Sequence, residues 1–137
     1  MRKQKMKVLT FGVFDYFHWG HLKLLERAKK YGDYLIVAVQ DGDFILKYKP
    51  NAKILYSTEQ RVEMIKALSI VNEVIVYQHV DETVKNTNFD VLIVGEDQVH
   101  EGIKRAINYC MENNKKVVRL ARTPGICSTS IKEEIKR

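Results

Sequence analysis

Two histidines set three residues apart, His18 and His21, are the side chains best placed for chemistry in this sequence. They close the run Gly12-Val13-Phe14-Asp15-Tyr16-Phe17-His18-Trp19-Gly20-His21, which follows a short apolar segment and leads into a helical pattern. Imidazoles at that spacing lie on the same side of a first helical turn. Gly20 between them leaves room for a ligand to approach the backbone. The free N–H groups and the dipole of a helix start favour phosphate at that position. Two imidazole donors there could neutralise charge that builds on a phosphate during a displacement. Zinc is the competing use of paired histidines, but no third ligand stands nearby. The run is neither a Gly-X-Gly-X-X-Gly fingerprint nor a Gly-Lys-Ser/Thr phosphate loop.

Two further runs stand out. Arg122-Thr123-Pro124-Gly125-Ile126-Cys127-Ser128-Thr129-Ser130-Ile131 passes from a basic residue through a Pro-Gly turn into hydroxyls at an expected helix start. By itself it reads as a helix cap, with Ser128 or Thr129 capping. At the same sheet edge as the histidines it reads as a second phosphate clamp, with Arg122 gripping phosphate oxygens in a fork that lysine cannot copy. Val94-Gly95-Glu96-Asp97-Gln98 places two acids beyond a strand. They either cap the next helix or touch a ribose, a base or a metal.

The elements that must position these runs alternate. Lys7-Val8-Leu9-Thr10-Phe11 is β-prone and ends at Gly12. From Gly20, Leu22, Leu25 and Ala28 recur at helical spacing among charged residues, and Gly32-Asp33 ends the helix. Tyr34 to Val39 is a continuous apolar run, as in a strand covered on both faces. Residues 41–56 carry Lys47, Lys49, Pro50 and Lys53 and read as an irregular loop. Ser57 with Gln60 predicts a capping box for the next helix. Strands follow at 74–77, 91–94 and 116–120, with a short helix over 80–88, a longer one through Ile103 to Cys110, and a last helix starting near Thr129. The pattern predicts one doubly wound α/β domain, Rossmann-like, with a five-stranded parallel sheet flanked by helices. Ligands of such a sheet sit beyond the carboxyl ends of the strands, where the strand order reverses.

Composition sets the outer bounds. At 137 residues, with 45% apolar and 29% charged, the chain is expected to be a single globular domain over 1–137, with 1–6 as a basic tail. The net charge of +6 suits an anionic ligand, from a nucleotide to a polymer. Aromatic residues are not interleaved with a basic run, so nucleic acid is not the expected partner. Cys110 and Cys127 have no paired spacing, which argues against a disulfide framework or a zinc knuckle and for a reducing cytoplasm. The apolar runs are too short to span a bilayer, and no signal-peptide stretch follows the basic start.

The runs at 12–21 and 122–129 together resemble those of the cytidylyltransferase family, which carries an HxGH motif near its N-terminus and an RTEGISTT-type motif near its C-terminus. Leu24 to Lys29, Gly32 to Leu35 and Ile131 to Ile135 are similar to the short bacterial glycerol-3-phosphate cytidylyltransferases. The resemblance implies transfer of CMP from CTP to a small phosphorylated alcohol, most simply glycerol 3-phosphate. Other acceptors (phosphoethanolamine, phosphocholine, a sugar phosphate), adenylyl transfer, and a non-catalytic nucleotide-binding module are the alternatives. It implies that His18 and His21 stabilise the reacting phosphates and that Arg122 holds the triphosphate. Gly12, Val13, Phe14, Asp15, Gly20 and Asp97 would line the nucleotide site, as would Thr123, Gly125, Ile126, Cys127, Ser128 and Thr129. Arg61 would lie near the acceptor, and Lys47 or Lys49 would supply an active-site lysine. Mg²⁺ carried with CTP, no protein-held metal, and a homodimer are the further implications. Gln98 stands where the bacterial glycerol-phosphate enzymes have tryptophan, and Ser69 where a second acceptor-side arginine is expected.

Overall fold

The computed structural model describes residues 5–96 and 98–121. Arg122 to Arg137, Asp97 and the first residues of the basic tail lie outside the described residues, and with them the last predicted helix.

The alternating pattern folds as β1 (Lys7–Gly12), α1 (Trp19–Lys29), β2 (Tyr34–Gln40), α2 (Gly42–Tyr48), α3 (Thr58–Lys66), β3 (Glu73–Tyr77), α4 (Val80–Asn86), β4 (Val91–Gly95), α5 (Glu101–Glu112) and β5 (Lys116–Leu120). All strands are parallel, in the order β3-β2-β1-β4-β5. The chain winds outward from β1 to β3, then returns to the other side of β1 as β4. The order therefore reverses beside β1, and a crevice at the carboxyl ends of β1 and β4 follows from the topology.

Alternate residues of each inner strand supply two core layers. Leu9, Phe11, Ile36, Ala38, Leu92 and Val94 face α4 and α5, meeting Val80, Val84, Ile103, Ala106 and Cys110. Val8, Leu35, Val37, Val39, Val91 and Ile93 face α1 and α3, meeting Leu25, Ala28 and Ile65. Burial on both faces accounts for the unbroken apolar runs of β2 and β4. Cys110 is buried in the first layer as a free thiol. Among the described residues no helix is long and apolar enough to cross a membrane.

Residues 41–56, expected to form an irregular loop, contain α2 over Gly42–Tyr48. The helix is too short for its periodicity to register, and local and tertiary contacts hold it. Asp41 caps it by accepting from the Asp43 N–H at 3.1 Å. Phe44 packs on Tyr48 one turn later and edge-on against His79. Gly42 sits against Arg61 and Thr58, where a Cβ would lie 3.1 Å from each. The predicted capping box of α3 is present: Ser57 Oγ accepts from the Gln60 N–H at 3.1 Å, and Gln60 Oε1 accepts from the Ser57 N–H at 3.0 Å.

Arg61, on α3, joins the loops at the carboxyl edge. Its Nη1 donates to the carbonyls of Gln40 at 2.7 Å and Val13 at 2.9 Å, and its Nε to that of Tyr56 at 3.2 Å. Nη2 donates to Thr58 Oγ1 at 3.2 Å. The residue is 0% exposed. Removing it strips the donor from three carbonyls at this edge, each worth about 1–3 kcal/mol when left unpaired in a buried setting. Arg61→Met is therefore expected to lower the urea-derived unfolding free energy by about 3 kcal/mol or more. A loss below about 1 kcal/mol would show that other contacts hold these loops.

Candidate active site

The run after β1 turns sharply before α1 begins. Phe14 and Tyr16 both take positive φ, 58° and 51°, a conformation that side-chain-bearing residues adopt only when their surroundings enforce it. Phe14 is buried and its ring folds back over Gly12, where a Cβ would lie 2.7 Å from the ring. Glycine is thus required at position 12 by the close approach. Asp15 is buried as well, and its carboxylate accepts from the N–H groups of Leu55 at 2.7 Å and Tyr56 at 3.0 Å. Asp15 and Arg61 between them hold the histidine-bearing loop to the segment before α3.

The histidines cap α1 themselves. His18 is the N-cap, and its Nδ1 accepts from the Gly20 N–H at 3.0 Å. The Nδ1 of His21 accepts from the His18 N–H at 3.3 Å, closing a reciprocal cap. The rings stack at 3.9 Å and 17°, with Phe17 also stacked on His21 and Phe14 edge-on to it, each at 5.5 Å. The N–H groups of His18 and Gly20 are taken by the imidazoles, so the outer ring nitrogens join the start of α1 as donors toward a ligand.

The cap also sets the tautomer. Each Nδ1 accepts a hydrogen bond, so the proton of each neutral ring is assigned to Nε2. His18 Nε2 is buried with no hydrogen-bond partner among the described residues, which leaves a donor waiting for an acceptor. Burial lowers the pKa of both rings, and His21 is brought to about 4, first by burial and then by His18 beside it. The pair is therefore neutral at pH 7, with paired Nε2–H donors.

The remaining site residues divide by position. Val13 and Asp15 line a cleft of about 580 Å³ beyond β1, β2 and β3, together with Phe44, Tyr48, Lys49, Lys53, Tyr77, His79, Asp81, His100 and Arg105. Lys49 faces this cleft; Lys47 does not line it and stands over the Tyr48 ring. Lys53, His79, His100 and Arg105 were not singled out by sequence reasoning. The signal available was that His79 and His100 each stand just before a helix at the edge already marked by His18. Arg61, expected near the acceptor, lies at the carboxyl edge of the sheet among the loops that border the cleft. Its guanidinium is buried and turned onto backbone carbonyls, so its role at this edge is to position loops.

Gln98 bridges the crevice: its Oε1 accepts from the Gly95 N–H at 2.8 Å and its Nε2 donates to the Phe11 carbonyl at 3.1 Å. Ser69 and Asn72 precede β3 at the amino edge of the sheet. There Asn72 Oδ1 accepts from the Leu35 N–H at 2.9 Å and from Lys29 Nζ. The lack of an arginine at 69 thus leaves the cleft at the carboxyl edge unaltered within this chain. Asp97, Arg122, Thr123, Gly125, Ile126, Cys127, Ser128 and Thr129 lie outside the described residues.

This is a Rossmann-like doubly wound domain whose switch point carries paired Nε2–H donors. The cytidylyltransferase-like family model matches residues 9–134. The chain is 40% identical over 132 residues to a glycerol-3-phosphate cytidylyltransferase of Bacillus subtilis, a match that covers 94% of this chain and 96% of that one. It is 37% identical over 100 residues to an FAD synthase of Thermococcus sibiricus, covering 71% and 67%. A solved lipopolysaccharide core biosynthesis protein from Thermoplasma volcanium superposes with a TM-score of 0.73 at 26% identity, covering 88% of this chain and 99% of that one. The chain belongs to the cytidylyltransferase-like family and is a nucleotidyltransferase.

The neutral histidine pair has a consequence for acid stability. Unfolded, His21 takes up a proton near 6.5, whereas in the fold it does so at about 4. Between those values the unfolded chain binds more protons, so stability falls as the pH is lowered through that window and is complete above it. The difference corresponds to on the order of 3 kcal/mol. In ¹H–¹³C spectra the His21 ring is expected to titrate with a midpoint near 4, and a midpoint near the ordinary histidine value would contradict the buried cap.

Proposed function

We propose that the protein transfers CMP from CTP to glycerol 3-phosphate, giving CDP-glycerol and pyrophosphate. The stacked, neutral His18–His21 pair at the switch point carries the reading. The match along nearly all of the chain to glycerol-3-phosphate cytidylyltransferases supports the choice of substrates. An acceptor phosphate oxygen attacks the α-phosphorus of CTP in line. A new P–O bond forms, the bond from the α-phosphorus to the bridging oxygen breaks, and pyrophosphate leaves with that electron pair. The attacking oxygen is anionic at neutral pH, so no general base is required. The Nε2–H groups meet negative charge on the reacting phosphates, and the rigid cap keeps them aimed. Arg122 and the run to Thr129 would hold the triphosphate.

Among the described residues no three His, Cys, Asp or Glu side chains gather into a metal site. A Mg²⁺ ion entering with CTP would be held mainly by phosphate oxygens and water. Lys49, on the cleft, is the better placed of the two candidate lysines to meet the acceptor. A homodimer in a reducing cytoplasm completes the proposal, the latter supported by the free, buried thiol of Cys110. The similarity to FAD synthases supports a second reading, adenylyl transfer to a phosphorylated acceptor.

Pyrophosphate release from each nucleoside triphosphate, against a panel of phosphorylated acceptors, separates the two. Turnover is expected to be fastest with CTP and glycerol 3-phosphate; faster turnover with ATP would replace the first reading by the second. His18→Asn separates the two duties of that histidine, because asparagine retains a capping acceptor but lacks the Nε2 donor. It is expected to hold stability within about 0.5 kcal/mol and to lower kcat by about a hundredfold or more. Near-normal kcat in this variant would show that the histidine serves the helix alone.

A further inference from the structure

The cleft beyond β1, β2 and β3 holds charges that the chemistry at the histidines does not use. Its anionic side chains are committed: Asp15 to the Leu55 and Tyr56 N–H groups, and Asp81 Oδ2 to Arg105 Nε at 2.9 Å. Its cations are not. The side chains of Lys49 and Lys53, and the two terminal nitrogens of Arg105, make no hydrogen bond or ion pair with a described residue. Asp81 is 25% exposed and Arg105 59%, so the pair sits at the mouth of the cleft with the outer guanidinium nitrogens open. The Arg105 guanidinium also draws the Asp81 carboxyl below its ordinary range, chiefly through the hydrogen bond, so the pair stays charged.

A second observation concerns the same place. Gly102 stands in the first turn of α5 and lines the cleft. Glycine is among the poorest helix formers, and no unusual backbone angle calls for it. A Cβ there would lie 3.1 Å from the His100 ring and 3.9 Å from Arg105 Nη2. The missing side chain thus keeps open the space beside the guanidinium.

We propose that Arg105, oriented by Asp81, determines acceptor specificity by binding the end of the acceptor remote from its reacting phosphate. The inference rests on the cytidylyl-transfer reading. The reacting phosphate must lie toward the histidine-bearing loop, which contributes Val13 and Asp15 to the cleft. The starts of α4 and α5 contribute His79, Asp81, His100 and Arg105, and these meet the other end of the acceptor. Guanidinium N–H groups donate to hydroxyl oxygens or to an anionic group. An ammonium group there would face Lys49, Lys53 and Arg105, and the two carboxylates among the described residues lining the cleft, Asp15 and Asp81, are committed elsewhere. The acceptor class is therefore a small phosphate monoester whose far end is hydroxylated or anionic; phosphoethanolamine and phosphocholine are excluded.

Steady-state kinetics at saturating CTP test this. Arg105→Gln is expected to raise the KM for glycerol 3-phosphate about tenfold or more, the scale of one charge-assisted hydrogen bond. The effect should fall on that KM rather than on kcat or the KM for CTP, and Arg105→Lys should recover part of it. Asp81→Asn should act in the same direction and add little to Arg105→Gln, since the two residues act as a unit. Arg105→Glu should lower the preference for glycerol 3-phosphate over phosphoethanolamine by about a hundredfold. Because Arg105 is exposed, thermal unfolding should be unchanged; a fall in melting temperature with all kinetic constants shifted together would show a structural role and overturn the assignment. Equal turnover of phosphoethanolamine and glycerol 3-phosphate by the unaltered protein would also overturn it. Calorimetric binding of glycerol 3-phosphate by the unaltered protein and Arg105→Gln gives a readout independent of turnover. Equal affinities would refute the role of Arg105, whereas absence of pyrophosphate from CTP with every acceptor would refute cytidylyl transfer and leave the binding comparison to decide Arg105.

Discussion

The buried guanidinium of Arg61 is the tie on which the carboxyl edge of the sheet depends. It reaches the carbonyls of Val13, Gln40 and Tyr56, and so pins the exits of β1 and β2 and the entry to α3 to one point. A parallel sheet delivers its strand ends to one edge but does not by itself shape the loops that leave them. Those loops carry polar backbone that helices and strands do not satisfy. One planar cation with several donors satisfies carbonyls from separate segments at once, which a lysine ammonium could not do in the same geometry. Asp15 performs the complementary task with its acceptors, taking the Leu55 and Tyr56 N–H groups.

On that frame the two nitrogens of each histidine are set apart. Nδ1 of each ring completes the start of α1, and Nε2 of each is thereby left as a proton-bearing donor. In the proposed reaction, folding and chemistry are coupled through a single ring orientation. A ring flip would lose the cap and present an acceptor to a phosphate, so the hydrogen bonds that stabilise the helix also exclude the unproductive tautomer. Stacking at 3.9 Å adds a second restraint, because two adjacent imidazolium charges would repel. The same edge supplies the cleft in which uncommitted cations outnumber uncommitted acids, which matches the anionic substrates of a nucleotidyltransferase.

Much of this was legible in residue order. The apolar runs at 34–39 and 91–94 announce strands buried on both faces, and the structure buries them between two helical layers. Ser57 and Gln60 announce a cap because its partners are three residues apart, and it forms. The histidine pair was legible for the same reason: both rings and the N–H groups they use belong to one turn of chain. α2 was not legible, because it is a single short helix held by Arg61, Thr58 and His79, which are remote in sequence.

Sequence alone therefore determined what local interactions encode: the β-α alternation, the doubly wound class, and the position of His18 and His21 at a helix start beyond β1. Tertiary structure decided which charged groups are spent and which are free. Arg61 was spent on three loop carbonyls, Asp15 on a neighbouring segment, and Lys47 was turned from the cleft that Lys49 and Lys53 line. Gln98 was placed across the ends of β1 and β4, and Ser69 was sent to the far edge of the sheet. The physical reason is range. Apolar periodicity and helix caps act over a few residues and leave their mark in the order of the chain. The partner of a long polar side chain is chosen from whatever the fold brings within hydrogen-bonding distance, and nothing in the spacing of residues records that choice.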